Sequence, residues 1–161
     1  MPHINALCHV GDGLYLVETE FLFGIRPNDK WHDQVVKILE LFKKQQIKEL
    51  RSCASAFLEM GMVLQAHRIP ADRIEETLFL VKQKLLESGV LEVELGSDDI
   101  IRLYELLRKF DVEYFDAMHA AVALGRNAAL ITNDEVYKAL GVKSVSFSDL
   151  IKKKTKTSLP P

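Results

Sequence analysis

The stretch Tyr114-Phe115-Asp116-Ala117-Met118-His119-Ala120-Ala121-Val122-Ala123-Leu124, followed after a short break by Ala129-Leu130-Ile131-Thr132-Asn133-Asp134, decides the fold class. Its first part predicts a helix over Phe115 to Leu124 that opens on an acid and carries Ala117, Ala120, Ala121 and Ala123. Small side chains of this kind let a helix lie close against a sheet. The second part is a short apolar run that predicts a strand over Ala128 to Thr132, with Asp134 just past its end. A helix feeding directly into a buried strand is the repeating unit of an α/β domain.

Working outward, the same alternation continues in both directions. After the strand, Asn133-Asp134 opens a short helix to Leu140, Val142 to Phe147 predicts a fifth strand, and a closing helix starts at Ser148. Before it, Ser97-Asp98-Asp99 opens a helix bearing Ile101, Tyr104, Leu106 and Leu107. Val90 to Leu95 alternates apolar and acidic residues and predicts a third strand. Pro70 and Asp72 begin a helix that Gly89 ends, with an apolar stripe on Ile74, Leu78, Val81 and Leu85. Ser55 to His67 is helical in pattern, and Ile47 to Ser52 predicts a second strand. Trp31 to Lys44 shows helical spacing at Val35, Ile38, Leu39 and Phe42. Phe21 to Ile25 predicts a short helix broken by Pro27, and Leu14 to Val17 a first strand buried on both faces. The pattern implies a three-layer α/β/α domain with a mostly parallel central sheet, spanning residues 14–151. Residues 1–13 read as an N-terminal extension and 152–161 as a basic, flexible tail.

The chain has 161 residues, enough for one domain with its own core, and its apolar share of 48% argues against disorder. A net charge of −2 gives no global pull toward nucleic acid, so any such contact must be local. Local candidates are Lys43, Lys44, Lys48 and Arg51; Arg102, Arg108 and Lys109; and Lys152, Lys153, Lys154 and Lys156. The ordinary reading of each is a solvated helix face. Cys8 and Cys53 form no CxxC pair, and Cys8 with His3 and His9 makes only a weak metal-like cluster. No signal-peptide pattern and no membrane-length apolar run is present, which predicts a cytoplasmic protein.

Four acids stand out on this scaffold. Glu18 follows the first strand, Asp134 follows the fourth, Asp116 opens the helix before the fourth strand, and Glu59 sits in the apolar run Ala54 to Met60. In parallel sheets ligands bind at the carboxyl ends of the strands, near a switch in strand order. Carboxylates gathered there raise one another's pKa unless a cation holds them, and hard oxygen ligands suit Mg2+ or Mn2+. Taken singly, each has a plainer reading: Asp116 and Asp134 as helix caps, Glu18 as a loop carboxylate, Glu59 as a surface residue.

At these residues the chain resembles the PIN (PilT N-terminus) domain family, including its VapC-type toxin ribonucleases. The resemblance runs from about Leu14 to Ile151 and rests on three segments: Leu14-Tyr15-Leu16-Val17-Glu18-Thr19-Glu20, Ser55 to Gly61 around Glu59, and the opening stretch. It implies a metal-dependent endoribonuclease acting on single-stranded RNA, the toxin of a toxin–antitoxin pair. The family's catalytic acids carry over to Glu18, Glu59, Asp116 and Asp134, of which Glu18, Asp116 and Asp134 would be metal ligands for Mg2+ or Mn2+. Thr132 matches the threonine whose hydroxyl orients the last acid or a water. An antitoxin protein and a homodimer are the implied partners, with the Ile74 stripe either a dimer face or core.

One position departs from the family pattern. The first acid is normally Asp and here is Glu18, and the usual Asn two residues on is Glu20, whose side chain is expected to point away from Glu18 if the strand continues, or around the helix if one starts. A side chain longer by one methylene moves the carboxylate by ~1 Å, and a misplacement of that size costs on the order of a hundredfold in rate. The alternative reading is therefore a catalytically inactive PIN-like module that binds RNA or protein. A phosphoacceptor receiver domain is ranked last, because no acid ends the third strand. His119 lies one turn after Asp116, where local packing is its ordinary role; Trp31 and Tyr114 read as base-stacking or packing residues.

Overall fold

The computed structural model describes residues 13–156. Its central sheet has five strands: β1 (Leu14–Val17), β2 (Glu49–Cys53), β3 (Leu91–Val93), β4 (Ala129–Ile131) and β5 (Ser144–Val145). All neighbouring pairs are parallel, in the order β3-β2-β1-β4-β5. The chain builds outward from β1 through β2 to β3, then returns to the other side of β1 with β4. That return makes the carboxyl end of β1 and β4 the switch point of the sheet. Register places Val17 beside Ile131, so the residues following each strand emerge side by side.

Among the described residues, eight helices connect and cover the strands: α1 (Thr19–Gly24), α2 (His32–Lys43), α3 (Ala54–Ala66), α4 (Ala71–Glu87), α5 (Ser97–Lys109), α6 (Tyr114–Gly125), α7 (Val136–Ala139) and α8 (Phe147–Lys156). Successive side chains of a strand face opposite sides, and β1 shows the consequence. Tyr15 and Val17 enter a core with Phe21, Ile38, Met60, Leu85 and Phe147, while Leu16 enters a second core with Leu103, Ala120, Leu130 and Tyr137. The molecule is thus the three-layer α/β/α sandwich that the alternation of elements predicts. The alanine face of α6 accounts for its close seating, since Ala117, Ala120, Ala121 and Ala123 are all fully buried.

The stripe on α4 serves the core: Val81 and Leu85 are buried, and Ile74 and Leu78 pack against the same cluster. The edge strands are shorter than their apolar runs suggest. β3 stops at Val93 rather than Leu95, and the last run divides into β5 and the start of α8. An edge strand pairs on one side only, so half of its backbone groups lack a ladder partner and pairing ends early. The basic tail expected from residue 152 needs correction through residue 156, because α8 continues to Lys156. Phe147 and Leu150 are fully buried, and Lys154, one turn later on the same face, lays its stem over the core with Nζ 5.8 Å from the Tyr15 ring centroid. Residues 157–161, and the Cys8, His3 and His9 cluster, lie outside the described residues. Cys53 is a buried free thiol. Among the described residues no helix is long and apolar enough to cross a membrane.

Candidate functional site

No loop separates β1 from α1, so Glu18 becomes the N-cap of that helix. Its Oε2 accepts from the Glu20 backbone N–H at 3.0 Å, while Oε1 is buried with no hydrogen-bond partner. Burial pushes the Glu18 carboxyl up to about 8, against the Glu20 N–H bond that favours its charge; the nearby Glu20, Glu59 and Asp116 add to the rise.

Glu59 projects from α3 into the same place. The hydroxyl of Thr19 donates to its Oε2, and His119 Nε2 lies 2.9 Å from that oxygen. Burial alone would raise this carboxyl, but the bonds from His119 and Thr19 outweigh it and hold Glu59 below its ordinary value. Asp116, in the first turn of α6, accepts from the Tyr137 hydroxyl at 3.3 Å. Its carboxyl is raised, by burial first and then by the charges of Asp134 and Glu59. Tyr137 is itself buried and faces Glu18, Asp116 and Glu59, so its phenol stays protonated and remains a donor. Asp134 follows β4, where its own N–H donates to the buried Thr132 Oγ1 at 3.1 Å and its Oδ1 accepts from Val136 N at 2.9 Å. Asp134 stands one residue before Glu135, the N-cap of α7, so the helix-cap reading of Asp134 is not met.

Glu18, Glu59, Asp116 and Asp134 all line one cleft of about 760 Å³ at the carboxyl ends of β1 and β4. Thr132 does not reach its wall and acts on it through Asp134. A helix starts at Thr19, so Glu20 lies in its first turn, and it lines the cleft as well, with Oε2 accepting from Asn133 Nδ2 at 3.3 Å. Asn133 in turn accepts from Phe147 N–H at 3.2 Å, which ties this rim to α8. None of the lysine and arginine clusters singled out in the sequence lines the cleft. Lys30 does, 5.0 Å from the centroid of the Trp31 ring, and Trp31 packs edge-on against Phe147. Tyr114 is exposed and packs edge-on against Phe115.

Thr19, Tyr137 and Lys30 escaped the sequence reading. The placement of Thr19 between two acids was the available signal, but its orientation follows from the strand-to-helix junction. The four acids offer the cleft carboxylate oxygens, the donors that suit a hard divalent cation, and the orphaned Glu18 Oε1 is an oxygen that such an ion would satisfy. Among the described residues, no group of three or more such side chains is arranged as it stands to hold an ion. A separate apolar groove of about 800 Å³, walled by Ile25, Val36, Leu39 and Leu80, lies between α2 and α4 and contains none of the four acids.

The model of the PIN domain family matches residues 15–143. No curated protein matches the chain. Among solved structures, VapC20 of Mycobacterium tuberculosis, described as a sarcin-ricin loop cleaving toxin, is 18% identical with a TM-score of 0.61, covering 81% of this chain and 98% of that one. PAE2754 of Pyrobaculum aerophilum is 16% identical with a TM-score of 0.55, covering 89% and 96%. VapBC2 of Rickettsia felis, solved with a DNA fragment from its promoter, is 16% identical with a TM-score of 0.60, covering 83% and 98%. At such identities the likeness to these structures is one of fold.

Proposed function

We infer that this chain, which belongs to the PIN domain family, is a divalent-cation-dependent endoribonuclease of single-stranded RNA. The observation that carries the reading is the meeting of Glu18, Glu59, Asp116 and Asp134, from four separate elements, in one cleft at the switch point of the sheet. Isolated carboxylates are common, but a buried one with an unpartnered oxygen is costly unless it has work to do.

In this reading Glu18, Asp116 and Asp134 hold Mg2+ or Mn2+, and Glu59 orients water. The cation supplies an activated water and offsets charge on the phosphate oxygens. The rest falls to the protein. Tyr137 fixes one oxygen of Asp116, and Thr132 fixes the backbone that carries Asp134. Lys30 offers the rim a positive charge for the RNA backbone, beside the Trp31 ring. The fold shared with VapC20 and VapBC2 supports a toxin of the VapC type with an antitoxin protein as partner; a homodimer acting in the cytoplasm belongs to the same proposal.

A second reading, a PIN-like binding module without activity, draws on Glu18 itself. With its carboxyl pushed up to about 8, that residue is mostly protonated at neutral pH and is then a weak ligand. Labelled single-stranded RNA incubated with Mn2+, Mg2+ or chelator, alongside Asp116→Asn, separates the two. Cation-dependent cleavage that leaves 5′-phosphate ends and is lost in the variant supports the nuclease. RNA binding without cleavage supports the module, and a cyclic phosphate product rules out the carboxylate–cation chemistry.

A further inference from the structure

Behind the acidic cleft lies a chain of buried polar groups that the reaction, as described, does not use. Ser55, on α3, is fully buried, and its hydroxyl lies 3.2 Å from Cys53 Sγ and 3.1 Å from His119 Nδ1. His119, on α6, is 3% exposed. Its other nitrogen, Nε2, lies 2.9 Å from Glu59 Oε2 and 3.2 Å from Thr19 Oγ1. The chain links the end of β2, α3, α6 and α1, and it ends on a single carboxylate oxygen.

Hydrogen-bond accounting fixes the direction at the Glu59 end of this chain. The Thr19 hydroxyl spends its proton on Glu59 Oε2, so toward His119 it can only accept. The Glu59 carboxylate, held below its ordinary pKa, is acceptor-only. Both neighbours of Nε2 therefore require Nε2 to carry hydrogen. Every partner of Glu59 meets at Oε2; among the described residues Oε1 has none, and Glu59 lines the cleft.

We propose that His119 is a positioning residue, which with Thr19 pins one oxygen of Glu59 and presents the other to the reacting water or cation. Ser55 completes the device by orienting the imidazole through Nδ1. The proposal rests on the nuclease reading for its effect on rate, but its geometric core stands apart from activity. A ligand oriented by a buried second partner is the common arrangement around catalytic carboxylates, and loss of such a partner costs on the order of 10- to 100-fold in activity or affinity.

The test uses three variants and one spectrum. In cleavage of labelled single-stranded RNA with Mn2+, His119→Leu, which keeps the bulk and removes both ring nitrogens, is expected to lower kcat on the order of 10- to 100-fold with KM little changed. His119→Gln, whose amide N–H replaces Nε2–H, is expected to recover most of that loss, and Ser55→Ala to show a smaller fall in kcat. In the wild-type protein, nitrogen NMR of the imidazole is expected to show hydrogen on Nε2, a readout that needs no activity and survives if His119→Leu does not fold. Equal rates for His119→Leu and wild type, equal losses for Leu and Gln, or an Nε2 without hydrogen would each overturn the proposal. A wild-type protein that cuts no RNA under any cation would overturn the nuclease reading instead, leaving the NMR result to decide the geometry.

Discussion

At the scale of single residues, Glu18 controls the most. Its side chain is one methylene longer than the Asp that the family pattern carries, and the direct junction of β1 and α1 buries it. Burial makes it hold its proton up to about 8. Replacing Glu18 by Asp shortens the side chain and lowers the intrinsic pKa, so Glu18→Asp is expected to raise cation-dependent cleavage by about 10- to 100-fold and to shift its onset to lower pH. Single-turnover rates across pH check this; a variant slower than the parent at every pH would mean that the site is built around the longer acid. Three of the acids were legible in the sequence because they stand at a strand end or open a helix, and Glu59 because it interrupts an apolar run. Their partners were not. Whether Thr19 faces Glu59, or Tyr137 faces Asp116, depends on how α1, α3, α6 and α7 are turned, and such rotation is fixed by packing rather than by neighbouring residues in the chain.

Among the secondary-structure elements, two contacts set the frame around the cleft. Gly24 closes α1 where α2 crosses it: a Cβ at that position would stand 2.5 Å from Val35 Cγ2, and His32 Nδ1 donates to the Gly24 carbonyl at 3.0 Å. Gly24→Ala must push the two helices apart, at an expected cost of about 1–3 kcal/mol by denaturant unfolding. On the other face, Arg126 of the α6 C-cap forks onto both oxygens of Asp99 in α5, at 2.8 and 3.0 Å. Burial pushes the Asp99 carboxyl up, and the Arg126 donors more than reverse this, holding it below its ordinary value. Arg126→Met leaves that carboxylate without its main partner and is expected to cost about 1–3 kcal/mol, read from the same unfolding curves. Element types were legible from periodicity throughout, from the α4 stripe to the alanine face of α6. Their ends were less so. The edge strands stop where pairing stops, and the lysine run after Ile151 hides the spacing of Phe147, Leu150 and Lys154 that keeps α8 on the core.

For the whole molecule, the buried acids of the cleft tie stability to pH, and the proposed cation site would tie it to cations as well. Glu18 has its carboxyl raised from 4.5 to about 8 in the folded protein. Between those values the folded state keeps a proton that the unfolded chain has already released, so this group's contribution to stability is greatest below pH 4.5 and is lost as pH rises toward 8. Asp116, also raised, acts in the same direction. Glu59, held low by His119 and Thr19, acts oppositely: its contribution is present above its unfolded value and is lost as pH falls through its folded one. With Glu18 the most buried of the three, the net expectation is a loss on the order of a few kcal/mol between about pH 5.5 and about pH 8.5. On the proposed nuclease reading a divalent cation would bind the deprotonated carboxylates and displace their protons, and so would stabilise the folded state most where Glu18 costs most. Melting temperatures at about pH 5.5 and about pH 8.5, with and without Mn2+, should show a fall at high pH that Mn2+ reverses. Glu18→Gln, neutral at both values, should flatten the fall and blunt the Mn2+ response. Identical pH slopes for the two proteins would show that Glu18 holds no proton, while a flat slope with no Mn2+ response would mean that the cleft neither stores charge nor takes a cation.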